Sequence, residues 1–339
     1  MNKKIFITGV AGFLGSHIAD RMIELGYEVI GVDNLSGGFM ENVNPKIKFF
    51  KEDCNNLKKM NEIMQGCDIV FHAACTAPDG FSLFSPHFIT ENTFGITMSV
   101  LSAAASNGVK KFIYCSSMAR YGKQPKIPYT EDSECMPATP YGVAKLASEQ
   151  VIKQICELNG IYYTILVPHN ILGPRQNYID PYRNVAAIMI NRMMQGKQPI
   201  IYGDGEQKRS FSFVQDCVYC IERAIIQDNL NGEVINIGPD EEFVTINELA
   251  KEIAKNLDFD LKPIYVKDRP NEVKLAICSS DKARKLLNYE TKTSLADGIK
   301  EMIQDIKKKG TQQFSYNYPL EIDNQNTPET WRKQTIWTN

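Results

Sequence analysis

The 339-residue sequence predicts an α/β fold, a doubly wound parallel sheet with a smaller α/β lobe. Three observations carry that expectation. Short apolar runs alternate with longer amphipathic stretches up to residue 166, the pattern of parallel strands joined by crossover helices. A glycine-rich turn links the first run to the first amphipathic stretch. After Pro168 the alternation breaks, and loops, short runs and helices take over.

Taken in order, strands are expected at 4–8, 27–32, 47–50, 68–72, 111–115 and 161–166. Helices are expected at 12–26, 55–65, 88–107 and 140–159. Residues 1–167 thus form the sheet domain, which segments near 210–240 complete. Residues 168–310 form mainly a ligand-binding lobe, with a helix near 181–195, short strands near 199–202 and 234–237, and helices near 245–257, 280–288 and 294–308. Residues 311–339, with Pro319, Pro328, Trp331 and Trp337, lack periodicity and read as a tail laid on the surface with its aromatic residues packed down.

The formal net charge of −2 leaves no basic field for nucleic acid, so an anionic ligand has to be held by local groups. No stretch approaches the roughly 20 apolar residues of a membrane span. The opening residues have no apolar core or cleavage site of a signal peptide, so the cytoplasm is the expected compartment. Nine cysteines, an odd number, suggest free thiols. Cys217 and Cys220 form a CxxC, but no second pair or histidine accompanies them. They read as core-facing helical thiols, and no metal is expected.

The turn after strand 4–8 reads Thr8-Gly9-Val10-Ala11-Gly12-Phe13-Leu14-Gly15. Gly9 permits a tight turn, Gly12 a close pyrophosphate, and Gly15 close helix packing. The following helix start offers free N–H groups and a positive dipole end. A tight turn alone would look similar, but Asp33 ends the second strand 18 residues after Gly15. Its carboxylate can accept both hydrogen bonds of an adenosine ribose and would repel a 2′-phosphate, which favours NAD over NADP. Asp53 follows the third strand and is placed for the adenine edge. Ala73 and Ala74 leave room for the cofactor, with His72 a packed strand-end residue.

Tyr141 and Lys145 stand one helical turn apart, after Pro140 at a helix start. Ser117 closes the fifth strand 24 residues upstream of Tyr141. A free phenol titrates near 10, so a base acting near neutrality needs a cation to stabilise its phenolate. Lys145 and the nicotinamide charge are the expected sources. Ser117 would hold a substrate hydroxyl and relay its proton.

With these motifs in hand, the chain resembles the extended short-chain dehydrogenase/reductases, specifically their NAD-dependent nucleotide-sugar epimerase and dehydratase group, with its Rossmann-like domain. The resemblance covers about residues 3–308. It rests on TGVAGFLG, VDNL at 32–35, SSMARYG at 116–122, PYGVAK at 140–145, HNILGPR at 169–175 and GDGEQKRSFSF at 203–213. It implies that Ser117, Tyr141 and Lys145 are catalytic. It also implies that NAD meets Gly9, Gly12, Phe13, Leu14 and Gly15 of the loop, and Asp33, Asn34, Asp53 and Cys54 around the adenosine. Ala73, Ala74, Asn92, Tyr141, Lys145 and Pro168 would complete the cofactor site. On the substrate side it implies Ser117 and Met118 at the sugar, Asn170 at the diphosphate or sugar, and Asn184 and Val185 at a uracil pocket. Arg209 and Arg269 would clamp the pyrophosphate, a role that suits a guanidinium fork, with Glu272 orienting Arg269. Helices 88–107 and 140–159 would pair across a homodimer axis.

The reaction is read from the residues after Ser117. Dehydratases of the group carry Asp-Glu there, decarboxylases keep the Glu, and 3,5-epimerases use a Cys. This chain has Met118-Ala119, neither able to move a proton, which implies oxidation at carbon 4 and return of the hydride to the opposite face: a 4-epimerase. Arg120 replaces the group's usual aliphatic residue, to form a salt bridge outside the site or to reach an anionic sugar. Ala276 aligns with a bulky tyrosine that restricts glucose/galactose enzymes, so a larger substituent would fit. Segment 76–90 is expected to overlie the site. A one-way dehydrogenase or reductase of the same fold, releasing NADH, and a non-enzymatic NAD sensor are the alternatives.

Overall fold

A computed structural model describes residues 3–123 and 126–336. Seven parallel strands form one sheet. Five of them are β1 (Lys4–Thr8), β2 (Glu28–Asp33), β3 (Lys48–Lys51), β4 (Ile69–His72) and β5 (Lys111–Cys115). The others are β6 (Tyr162–Pro168) and a late strand, Glu233–Ile237, which is β11 below. Their order across the sheet is β11-β6-β5-β4-β1-β2-β3. Such a sheet must be apolar on both faces, and the strands alternate accordingly. Phe6, Val70, Phe112 and Tyr114 point into one core, while Ile5, Ile7, Ile69, Phe71 and Ile113 point into the other. The chain moves outward from β1 through β2 on one side and from β4 on the other, opening a crevice at the carboxyl ends of β1 and β4.

The connecting helices are α1 (Phe13–Glu24), α2 (Leu57–Ile63), α3 (Pro86–Thr90), α4 (Ile96–Ser106) and α5 (Pro140–Asn159). The single helix expected over 88–107 is instead α3, a π turn at Glu91–Gly95, and α4. Asn92 leaves helical geometry (φ −86°, ψ 16°), and its side-chain amide donates to the Phe88 carbonyl at 2.9 Å. Its own carbonyl accepts from Thr76 N at 3.0 Å. One extra residue in the turn aims Asn92 at the crevice without disturbing the apolar faces on either side. Helix α5 starts cleanly, with Thr139 accepting from Gly142 N at 3.1 Å and Pro140 in the first turn. It ends at Gly160 in the left-handed conformation.

Beyond β6 come β7 (Ile171–Leu172), α6 (Val185–Met193), β8 (Ile200–Tyr202), β9 (Lys208–Arg209), β10 (Ser212–Phe213), α7 (Val214–Ile226) and β11. They are followed by β12 (Val244–Thr245), α8 (Ile246–Leu257), β13 (Ile264–Val266), β14 (Leu275–Ala276), α9 (Asp281–Leu287) and α10 (Leu295–Lys309). Helix α6 begins at Val185 rather than 181 because Asn184 caps it, accepting from Ala186 N at 3.1 Å. The strand near 234–237 belongs to the main sheet, beside β6. Cys217 and Cys220 lie in α7, fully buried in the sheet's second core.

The tail does more than lie on the surface. Ser315 N donates to Ile179 O at 2.9 Å, and the backbone N–H groups of Glu321 and Ile322 both reach Phe84 O. After a short helix α11 (Glu329–Arg332), Trp331 and Ile336 are each 3% exposed. They share a core cluster with Phe81, Tyr141 and Tyr182. Trp337 lies outside the described residues.

Candidate active site

A cleft of about 550 Å³ runs from the β1–β4 crevice to the second lobe. It brings together every residue that the sequence singled out for cofactor or substrate, from Gly9 to Ala276.

At the crevice end the wall is largely backbone. Gly9 has φ +68°, and a Cβ on it would stand 3.0 Å from Ala74 Cα. A Cβ on Gly15 would come within 2.2 Å of Gly9 O, so no side chain is possible there. Gly12 caps α1 with no side-chain hydrogen bond, and the first turn of that helix carries no acidic residue. Its N–H groups and dipole are thus available to a pyrophosphate. Asp33 is buried and accepts from Ala11 N at 3.0 Å and Leu35 N at 2.7 Å. Burial pushes its carboxyl above the usual range, against the loop amides that pull it down. Asp53 accepts from Asn34 Nδ2 at 3.1 Å. Beneath the loop, His72 bridges Thr8 Oγ1 (2.7 Å) and Thr97 Oγ1 (2.9 Å) and is fully buried. Burial lowers it to about 3, so it is neutral and structural.

At the centre, Ser117 sits just beyond β5 and caps a short 3-10 turn, Met118–Arg120, by accepting from Ala119 N at 3.2 Å. Tyr141 and Lys145 face it from the first turns of α5. Lys145 is 2% exposed, donates to Cys115 O at 2.8 Å, and lies 5.8 Å from the Tyr141 ring centre. Burial opposes the Lys145 charge, but Cys75, Tyr114 and Tyr141 outweigh it and hold the ammonium. At Tyr141 the protein groups alone leave the phenol protonated, and the expected nicotinamide charge is the further contribution that a phenolate there requires. Burial and Cys75 push its phenol up, and the opposing pull of Lys145 and Ser117 does not overcome them.

Of the two roles expected for Arg120, the structure shows the salt bridge outside the cleft, whose wall Arg120 does not join. It is 5% exposed and its Nη2 lies 3.3 Å from Glu149 Oε2, a carboxylate with no exposed surface. Glu149 also accepts from Ser116 Oγ. Glu149 lies one turn after Lys145 on α5, and Arg120 three residues after Ser117. The buried pair therefore ties the segment holding Ser117 to the helix holding Tyr141 and Lys145.

At the far end, Glu272 holds both predicted arginines. One oxygen takes Arg209 Nη2 at 2.9 Å, and the other takes Arg269 Nε at 3.0 Å and Nη2 at 2.7 Å. Arg269 also lies over the Tyr202 ring, 5.1 Å from its centre. The two forks face one stretch of cleft. Asn170 lines it with φ +41°, its amide donating to Ser210 O at 2.9 Å. The Asn184 side chain is committed to capping α6 and to Ile171 O at 3.1 Å, which leaves its backbone and Val185 to face a ligand. Ala276 is 8% exposed and pairs with Arg209 in the β14–β9 ladder.

Segment 76–90 lies on the cleft as expected, and its Asp79 hydrogen-bonds Thr139 at the start of α5. Several other cleft residues were not foreseen. Cys75 and Arg183 stand near Tyr141, and Tyr182, Tyr318, Trp331 and Ile336 wall the same end. The Tyr182 ring lies 4.0 Å from Phe81 and 5.5 Å from Trp331, centre to centre. Arg183 stood beside the predicted Asn184, the one signal that could have found it. The tail residues had no such neighbour. Among the described residues, no group of three or more His, Cys, Asp or Glu is placed to hold a metal ion, and no helix is long and apolar enough to cross a membrane.

A glycine cradle that excludes Cβ atoms, an uncapped helix start and a strand-end carboxylate fit a dinucleotide, and a Ser–Tyr–Lys set beside it fits hydride chemistry on a hydroxyl. Residues 5–238 match the NAD dependent epimerase/dehydratase family, and the chain belongs to it. It is accordingly an epimerase-family enzyme whose cofactor is NAD. It is 34% identical over 309 residues to a putative UDP-glucose 4-epimerase of Methanocaldococcus jannaschii, covering 89% of this chain and 98% of that one. The UDP-glucose 4-epimerase of Thermotoga maritima, solved with UDP-glucose, superposes with a TM-score of 0.86 at 34% identity, covering 90% and 99% of the two chains. The UDP-glucuronic acid 4-epimerase of Bacillus cereus, solved with UDP-glucuronic acid and NAD, gives a TM-score of 0.84 at 29% identity and covers 91% and 100%.

Proposed function

We propose that the protein is an NAD-dependent 4-epimerase of UDP-linked sugars, with no net redox change. The observation that carries this reading is the pairing of Ser117, Tyr141 and Lys145 with Met118 and Ala119 on the same cleft wall. Tyr141 takes the proton of the carbon-4 hydroxyl, with Ser117 holding that hydroxyl and Lys145 stabilising the phenolate. Bound NAD supplies the acceptor and donor for the carbon-4 hydride and a positive ring charge that favours the phenolate. Met118 and Ala119 offer no proton-moving group, so the intermediate ketone is not directed to dehydration or decarboxylation by these positions. Arg209 and Arg269, fixed by Glu272, hold the diphosphate, and Asn184-Val185 backbone faces the base. The similarity to UDP-sugar 4-epimerases supports a uridine nucleotide.

Small Ala276 leaves room for a substituted sugar. Exposed Val143 and Leu158 on α5, which packs beside α4, suit a homodimer through these helices. The reaction is tested by incubating the enzyme with UDP-glucose, UDP-N-acetylglucosamine and UDP-glucuronate and following carbon-4 inversion by proton NMR. Appearance of the carbon-4 epimer without free NADH is the expected result; stoichiometric NADH or a decarboxylated product would overturn it. Ala276→Tyr is expected to depress turnover of the N-acetylated substrate relative to UDP-glucose, and an unchanged ratio would remove Ala276 as a size gate.

A further inference from the structure

The sugar end of the cleft contains one cation that neither the acid–base set nor the diphosphate accounts for. Arg183 lines the cleft immediately before α6, and its strongest electrostatic neighbours are Tyr318, Asp180, Cys75 and Tyr141. Those of Arg209 and Arg269 include Glu272, Asp79 and Tyr202 or Tyr129, a different set on the diphosphate side. Arg183 thus lines the cleft apart from the Glu272 cluster that holds the other two arginines.

Its protein partner is incomplete. The contact is a 3.6 Å approach of Nε to Asp180 Oδ2, and the Arg183 side chain keeps 39% of its surface open. The other Asp180 oxygen accepts from Tyr182 N at 2.9 Å. No hydrogen bond from the Arg183 guanidinium is formed among the described residues, whereas Arg209 and Arg269 are both hydrogen-bonded to Glu272. The wall beside it is aromatic or aliphatic, formed by Tyr182, Tyr318, Trp331 and Ile336 and backed by Phe81. A guanidinium with open Nη donors in such a wall favours an anion with two acceptor oxygens. Water is a poorer partner there, because the wall lowers the local dielectric.

Resting on the 4-epimerase reading, we propose that Arg183 grips a carboxylate on the sugar ring, so that the preferred substrate is a nucleotide-linked uronic acid. The carbon-5 carboxylate of a hexuronic acid adjoins the carbon-4 hydroxyl that Tyr141 addresses, and Arg183 and Tyr141 line the same cleft. Arg183 is then a specificity-determining residue, separate from proton transfer. Small Ala276 and the absence of a second acid on the Met118-Ala119 wall are compatible with a charged ring that is epimerised intact.

The test separates binding from reaction. NAD-loaded Tyr141→Phe protein, unable to turn over, is titrated calorimetrically with UDP-glucuronate, UDP-glucose and UDP, with and without a second change, Arg183→Met. With Arg183 present, UDP-glucuronate is expected to bind about 10–100-fold more tightly than UDP-glucose, the scale of a charge-assisted contact. Arg183→Met should abolish that gap while leaving UDP and UDP-glucose within about threefold. Arg183→Lys, which keeps the charge without the fork, should fall between. Equal or weaker binding of UDP-glucuronate, or an equal loss for all three ligands in Arg183→Met and Arg183→Lys, overturns the proposal. So does failure of all three ligands to bind the parent protein. Turnover of wild-type enzyme followed by NMR distinguishes the two readings. Inversion of UDP-glucose with no uronate preference leaves the 4-epimerase reading standing and removes the role of Arg183. A uronate preference in binding without carbon-4 inversion does the reverse.

Discussion

The two ends of the cleft are made of different material. The cofactor end is mostly backbone, contributed by the turn after β1 and closed by the ends of β2 and β4. There the closest limits are a Gly15 Cβ position 2.2 Å from Gly9 O and a Gly9 Cβ position 3.0 Å from Ala74. The other end, expected to hold the whole nucleotide sugar, is mostly side chain, drawn from α5, the loop before α6, β9, β14, the loop holding Arg269, and the tail that carries Trp331. Backbone cradles fix one ligand and tolerate no added atoms. A side-chain wall can change its ligand by single substitutions while the fold stands. The comparison predicts that damage at the first end removes the cofactor, and that damage at the second end alters sugar recognition with NAD still bound.

The largest effect is expected between the two ends, where a buried pair ties the Ser117 segment to the helix holding Tyr141 and Lys145. Arg120→Met leaves the Glu149 carboxylate buried without its cation and should lower stability by about 3–5 kcal/mol near neutrality, measured by urea unfolding. Burial already pushes the Glu149 carboxyl up. In the variant it can protonate, so the loss should grow as pH rises from 5 to 8 and be small at the acid end. A loss independent of pH would mean that packing, not charge, holds this region. Gly15→Ala comes next, with NAD affinity falling about 100-fold or more, because the helix start must shift relative to the turn; an unchanged Kd for NAD would break the account of the cradle. Trp331→Ala should raise KM for the nucleotide sugar about tenfold with the Kd for NAD unchanged. A loss of NAD binding in that variant would erase the distinction between the two ends.

The effect that is smallest near neutrality, and grows only in acid, concerns the support beneath the cradle. His72 is held neutral by burial, at about 3 against 6.5 for a free imidazole. The unfolded chain therefore takes up a proton that the folded one refuses between those values, and stability falls as pH drops below 6.5. Compared with His72→Gln, the wild type should lose up to about 1.4 kcal/mol more per pH unit between 6 and 4.5, read from unfolding curves at several pH values. Parallel curves would show that His72 is not the titrating group.

The same contrast explains what could be read from sequence. The glycine loop, Asp33 and the Tyr141–Lys145 spacing are legible because they express constraints within one turn or one strand end. The π turn at Asn92 was invisible, since one inserted residue leaves the apolar faces of α3 and α4 intact. Arg120 was noted as unusual, but its partner Glu149 came from the fold, although its position one turn after Lys145 was a usable clue. Arg183 and Trp331 depend on where a separate loop and the tail come to rest, and no local pattern encodes that. Tyr141 shows a different limit. Its helix position was legible, while the balance between burial and Lys145 depended on how completely the site is enclosed.

The central claim is that the hydride removed from carbon 4 returns to the same carbon on the other face. The most direct measurement uses a UDP-sugar with deuterium at carbon 4, the enzyme with its NAD, and ordinary water. Mass spectrometry and proton NMR of both carbon-4 epimers at equilibrium should show the label retained at carbon 4 in each. Loss of deuterium to solvent, or its appearance in released NADH, would contradict the account.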